Sequence, residues 1–195
     1  MPFRRVFAGV LAAALAMPLP GVAQTTGDAH PPSAADVVLD GLSGEWEGTP
    51  YAFRAADRPD EAAPRYARVH AVKVRHDADA VYVALWLNGP FALQGMPGTL
   101  SLLLDEDADP ATGWDLDDMP GVDAAIEFSA ALGPRGERMG IGLRLMHAEG
   151  RASCVGTANV AGVMIAPSHA SRWHEVRIPR GRGEISFGGR MAARL

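Results

Sequence analysis

The segment Asp105-Glu106-Asp107-Ala108-Asp109-Pro110-Ala111-Thr112-Gly113-Trp114-Asp115-Leu116-Asp117-Asp118 constrains the fold more than any other part of this 195-residue chain. With Asp123 it places eight acidic residues between positions 105 and 123, and no Lys or Arg lies among them. Asp at the first, third and fifth positions of a turn-rich run aims carboxylates at a common point, where they repel one another unless a cation joins them. Hard oxygen donors in that number suit Ca²⁺, which takes about 6–8 of them in flexible geometry. The helix-loop-helix calcium pattern needs Gly at its sixth position and Glu at its twelfth. Counted from Asp105, those places hold Pro110 and Leu116, so the pattern fails. A loop between two strands remains, entered from Leu100 to Leu104 and left along Val122 to Ser129. Asp105, Asp107 and Asp109 are the first candidate ligands, with Asp117 and Asp123 as closers and Thr112 or Asp115 as further oxygen donors. A solvated acidic turn is the competing reading.

The remaining segments read mostly as strands. Val37-Val38-Leu39 is a short apolar run closed by the turn dipeptide Asp40-Gly41. Tyr66 to Arg75 and Ala80 to Leu87 are β-branched or aromatic, and His76-Asp77-Ala78-Asp79 between them predicts a hairpin. Met139 to His147, Trp173 to Ile178 and Ile185 to Met191 are further candidates, while Ser153 to Ile165 is weakly patterned. Ala55 to Ala67 is Ala-rich but carries Pro59 and Pro64, which interrupt a helix. Short strands at near-regular spacing, with 22 Gly and 15 Pro, predict an all-β chain folded as an antiparallel β-sandwich. Within Val81 to Leu87, alternation puts Val81, Val83, Leu85 and Leu87 on one face and Tyr82 and Trp86 on the other. The aliphatic face is the predicted core. The aromatic face either packs under a loop or offers a flat surface to a ligand.

The chain begins as exported proteins do. Arg4 and Arg5 precede an apolar run from Val6 to Leu19, and Gly21-Val22-Ala23 offers small residues for cleavage. That layout predicts a signal peptide over 1–23, a polar linker over 24–36 and a single domain over 37–195, in the periplasm or outside the cell. The apolar run is short and broken by Pro18 and Pro20, which argues against a membrane anchor. Without residues 1–23 the chain keeps 16 basic and 23 acidic residues, a net charge of −7. No basic stripe exists for phosphate contacts, so a nucleic-acid partner is excluded. Cys154 stands alone, so no internal disulfide forms.

Five pieces of the chain resemble, in order, the family 9 carbohydrate-binding modules and their relatives. Asp40-Gly41 ahead of Glu45-Trp46 is similar to their opening motif, and the paired segments Val72 to Asp77 and Ala80 to Ala84 to the hairpin that follows. Leu102 to Trp114 resembles their "D-x-D-x-D-P-x-T-G" segment, Gly121 to Glu127 their "G-x-D-x-x-I" strand, and Trp173 to Pro179 their "W-x-E-x-x-I-P" strand. The resemblance implies a calcium-stabilised, jelly-roll-like sandwich that binds polysaccharide or oligosaccharide through stacked Trp side chains. Trp86 and Trp114 are then the candidate contacts, with Tyr82 beside Trp86, and Trp46 and Trp173 either contacts or core anchors. It also implies a C-terminal element beyond Leu195, since relatives tend to carry another strand or domain there.

Catalytic constellations are not found. Ser43 in Gly41-Leu42-Ser43-Gly44 lacks the spacing of a nucleophile elbow, and the Gly-rich stretch 133–142 lacks the Lys-Ser/Thr ending of a phosphate loop. His70, His76, His169 and His174 have no zinc-type spacing. The expectation is a non-enzymatic module. Two alternatives stay open: a purely structural domain of a larger exported protein, and a haem-binding sandwich. The latter needs axial ligands drawn from Met139, Met146, His147, Met164 and His169.

Overall fold

A computed structural model describes residues 37–55, 67–107, 109–116, 119–130, 135, 137, 140–147 and 151–180, together with the backbone of 12–13 and 192–194. In chain order its strands are β1 (Ala12–Ala13), β2 (Tyr51–Arg54), β3 (Val69–His76), β4 (Ala80–Phe91), β5 (Leu100–Asp105), β6 (Trp114–Leu116) and β7 (Met119–Val122). They continue with β8 (Ala124–Phe128), β9 (Ile141–His147), β10 (Arg151–Thr157), β11 (Met164–Ala166), β12 (Ser171–Pro179) and β13 (Ala192–Arg194). All pairings are antiparallel. One sheet runs β11-β12-β4-β3-β2, a second runs β1-β13-β5-β8-β9-β10, and β6 and β7 form a separate ribbon.

The fold is the expected all-β sandwich. From the five-stranded sheet, Val72, Val81, Val83, Leu85, Leu87, Val176 and Ile178 point inward. From the six-stranded sheet, Leu102, Leu104, Ala124, Ile126, Phe128, Ile141 and Leu143 meet them in one buried cluster. At about 1.5–3 kcal/mol for each large aliphatic side chain withdrawn from water, this layer is the main source of stability. The predicted hairpin forms β3 and β4. Its turn is closed by Asp77, whose Oδ1 accepts the amides of Asp79 and Ala80 at 2.8 and 2.7 Å.

Val37-Val38-Leu39 does not become a strand. It opens a strap, residues 37–50, that crosses the outer face of the five-stranded sheet and contains a 3-10 turn at Gly44–Trp46. Under it lies a second buried cluster of Trp46, Ala80, Tyr82 and Ala84, with Val37 and Trp173 against its edge. The aromatic face of β4 is therefore covered at the Tyr82 end. Trp86, at the other end, is half-buried. The weakly patterned stretch after residue 153 holds β10, a 3-10 turn at Ala158–Ala161 and the edge strand β11. The strand expected at Ile185 to Met191 lies outside the described residues, as do the linker and most of the expected leader. Within that leader, Ala12 and Ala13 pair with Arg194 and Ala193, and β13 in turn pairs with Leu103 to Asp105 of β5. Among the described residues no helix is long and apolar enough to cross a membrane.

Candidate functional site

The acidic loop connects β5 to β8 through the β6–β7 ribbon. It is tightly wound. Gly113 sits at φ +64°, and a Cβ there would come within 2.5 Å of the Val122 carbonyl oxygen, so only glycine lets the two arms of the ribbon close. Asp123 is locked to the end of β5, its amide donating to Leu104 O at 2.8 Å and its Oδ2 accepting the Glu106 amide at 2.7 Å. Asp105, Asp107 and Asp123 each present an oxygen within 4.8 Å of the others. Asp105 is buried, Asp123 half-buried and Asp107 exposed. Burial, and then the charges of Asp107 and Asp109, push the Asp123 carboxyl above its ordinary value, against backbone amides of Glu106 and Asp107 that pull it down. Three carboxylates converging from a hairpin end and a turn are a donor set of the kind hard cations take.

The other expected ligands stand elsewhere in the loop. Asp109 Oδ1 accepts the Ala111 amide at 2.9 Å, and its carbonyl accepts the Thr112 amide at 3.1 Å. Thr112 Oγ1 lies 3.1 Å from both oxygens of Asp107 and 3.0 Å from Asp109 O. Its single proton serves one of them at a time, so Thr112 ties Asp107 to the Asp109 carbonyl within the turn. Asp115 is exposed on β6, and Asp117 lies outside the described residues.

The aromatic residues fall into three groups. Trp46 is 0 % exposed, and its Nε1 donates to Glu175 Oε1 at 2.6 Å. With no ring surface open to solvent, it is a core anchor, which removes it from the ligand contacts. Tyr82 is also buried, its hydroxyl donating to Asp77 Oδ2 at 3.2 Å. Trp86 and Trp173 form the second group. They are register partners on β4 and β12, so both rings stand on the same outer face, and both are half-buried. His70 meets the Trp86 ring edge-on at 5.3 Å, and Trp46 meets Trp173 edge-on at 6.2 Å. In the same row, Trp86 is opposite Ala71 on β3, and Ala71 is opposite Arg54 on β2. The row Trp173–Trp86–Ala71–Arg54 thus crosses four strands, with the small, buried Ala71 between Trp86 and Arg54. Sequence reasoning named Trp86 and Trp173; it did not place His70 against Trp86, which depends on the β3 bulge, or Arg54 at the end of the row, where its guanidinium lies 5.2 Å from the Tyr51 ring centroid. Trp114 is separate, half-buried on the ribbon opposite Val122.

A second carboxylate group was not anticipated. Asp40 and Glu45 of the strap and Glu175 of β12 each offer an oxygen within 4.8 Å of the others. Glu175 is fully buried and accepts three N–H groups: Trp46 Nε1, the Gly41 amide at 2.7 Å and the Asp40 amide at 3.1 Å. Of the residues considered as haem ligands, Met164 is 54 % exposed and His169 is exposed, so neither faces a buried pocket. Met139 and the side chains of Met146 and His147 lie outside the described residues.

No protein-family model matches the chain, and no curated protein matches it. Among solved structures, it is similar to a family 9 carbohydrate-binding module from Caldicellulosiruptor kristjanssonii in complex with cellotriose. The identity is 13%, the TM-score 0.37, and the match covers 81% of this chain and 77% of that one.

Proposed function

We propose that this chain is a non-catalytic, exported sandwich module that binds a glycan across the outer face of its five-stranded sheet, with Ca²⁺ holding the acidic loop. The observation that carries the glycan reading is the row of Trp173, Trp86, Ala71 and Arg54. A pyranose has an apolar face that packs on an indole and hydroxyls that take hydrogen bonds from neighbouring cationic and imidazole groups. Trp86 supplies the first surface; His70, edge-on to its ring, and Arg54, exposed at the end of the row, supply the second. The five family-like motifs named above agree with this reading. Ca²⁺ at Asp105, Asp107 and Asp123 would cancel their mutual repulsion, which at an effective dielectric of about 20 amounts to roughly 3–4 kcal/mol for two unit charges at such spacing, before solvent screening.

Titration with soluble glucan and xylan oligosaccharides tests it. Trp86→Ala is expected to weaken binding by roughly tenfold or more, the usual effect of removing a central aromatic contact. Trp114→Ala, off the row, is expected to leave binding unchanged. Binding that survives Trp86→Ala would defeat the platform, and no binding to any glycan would favour a purely structural domain.

A further inference from the structure

The strap is fastened to the sheet by cations of β3 and by a buried carboxylate of β12. Lys73 donates to Trp46 O at 2.7 Å and Arg75 Nη1 to Glu45 O at 2.9 Å, so these cations of β3 hold the strap backbone. The deeper attachment is the Glu175 carboxylate with its three strap N–H donors. Gly41 makes this approach possible: at φ +79°, a Cβ there would lie 2.7 Å from Pro167 Cδ. Beside Glu175 stands Glu45, whose Oε1 is buried with no hydrogen-bond donor. Two carboxyl groups therefore lie together, Glu175 fully buried and Glu45 half-buried, with one buried oxygen of Glu45 lacking a donor. If both were ionised, the burial cost and their repulsion would oppose strap closure. A proton between them removes one charge and gives the orphan oxygen a partner in a short O–H···O⁻ bond.

We propose that Glu45 and Glu175 share one proton, and that this proton latches the strap, residues 37–50, onto the five-stranded sheet. The surroundings are consistent with it. The strap brings Asp40 and Glu45, both acidic. β3 brings Lys73 and Arg75, which donate to the strap carbonyls of Trp46 and Glu45. β4 places Ala84 opposite Glu175, and β11, with Met164, Ile165 and Ala166, carries no charge. On β12 the same-face neighbours are Trp173 and Arg177, and Arg177 acts on Asp77. Burial is the largest cause and the Glu45 charge adds to it; together they outweigh the Trp46 and Gly41 hydrogen bonds and push Glu175 up to about 7.

The sign follows from linkage. A carboxyl raised above its unfolded value of 4.5 stabilises the closed strap fully below that value and loses the contribution as pH rises through about 7. Release would also remove Trp46 from the edge of Trp173.

Hydrogen-exchange protection of the Trp46 indole N–H and the Gly41 amide, read by NMR on the full chain and corrected for intrinsic exchange, tests the latch. In the wild type it should fall roughly tenfold between about pH 6 and about pH 8. In Glu45→Gln the amide donates permanently to Glu175, so protection at the higher pH should match that at the lower. Glu175→Gln should give lower protection with no pH slope in this range. A flat wild-type profile, or wild-type slopes in both variants, would overturn the proposal. So would rescue of wild-type protection at high pH by excess Ca²⁺ that Glu45→Gln abolishes, because a cation would then be the latch.

Discussion

Among the described residues, two places gather three carboxylates within 4.8 Å of one another, and they are built in opposite ways. In the acidic loop, Asp105, Asp107 and Asp123 converge at the rim of the six-stranded sheet, and Asp107 is open to water. At the strap, Glu175 is fully buried and already surrounded by an indole N–H and two amides, with Glu45 half-buried beside it. The first has access for a hydrated ion, its donors coming from its own turn. The second is enclosed by its own donors. The difference teaches that clustered acid alone does not define a site, because access and hydrogen-bond supply decide which positive partner the cluster can take.

The contrast can be broken most forcefully at Trp46. Trp46→Ala should cost about 3–5 kcal/mol in urea unfolding, since it empties the strap cluster and strips a donor from Glu175. A loss under about 0.5 kcal/mol, typical of surface positions, would mean the strap is not part of the core. Ca²⁺ should act on the loop and not on the strap. At a hundredfold excess over its dissociation constant it should add about 2.7 kcal/mol, read as a rise in melting temperature. Asp123→Asn should abolish that rise and Glu45→Gln should keep it. Trp46→Phe sharpens the picture, because it keeps most of the apolar volume but removes the indole N–H; a cost of about 1–3 kcal/mol is expected. The smallest effect concerns Asp123 without metal. Its carboxyl is raised by burial and by Asp107 and Asp109, so its ionisation destabilises the loop as pH rises through its folded value. In chelator at neutral pH, Asp123→Asn should therefore raise the melting temperature slightly, the reverse of its effect with Ca²⁺ present.

Much of the sandwich was legible in the sequence because it rests on period-two alternation, as in Val81, Val83, Leu85 and Leu87 against Tyr82 and Trp86. β2 was not, since Tyr51-Ala52-Phe53-Arg54 is short and finds its place only by pairing across a bulge with β3. The β6–β7 ribbon was hidden by the Asp, Gly and Pro content that also makes it turn. Val37-Val38-Leu39 looked like a strand by composition, yet Val38 is 64 % exposed and it is the following Asp40-Gly41 turn that is held by Glu175. That carboxylate was invisible as a site because its partners are 129–135 residues away along the chain. In the acidic loop, residue order put Asp105, Asp107 and Asp109 first and Asp123 among the closers, whereas the fold brings Asp123 together with Asp105 and Asp107. It could not tell that the Thr112 hydroxyl would sit between Asp107 and the Asp109 carbonyl, which depends on the turn that Gly113 permits.

Isothermal titration of the Ca²⁺-loaded protein with glucan and xylan oligosaccharides, beside Trp86→Ala and Trp114→Ala, tests the central claim most directly. The account predicts binding to at least one glycan, a loss of roughly tenfold or more in Trp86→Ala, and wild-type affinity in Trp114→Ala. Undiminished binding in Trp86→Ala, or a loss confined to Trp114→Ala, would contradict it.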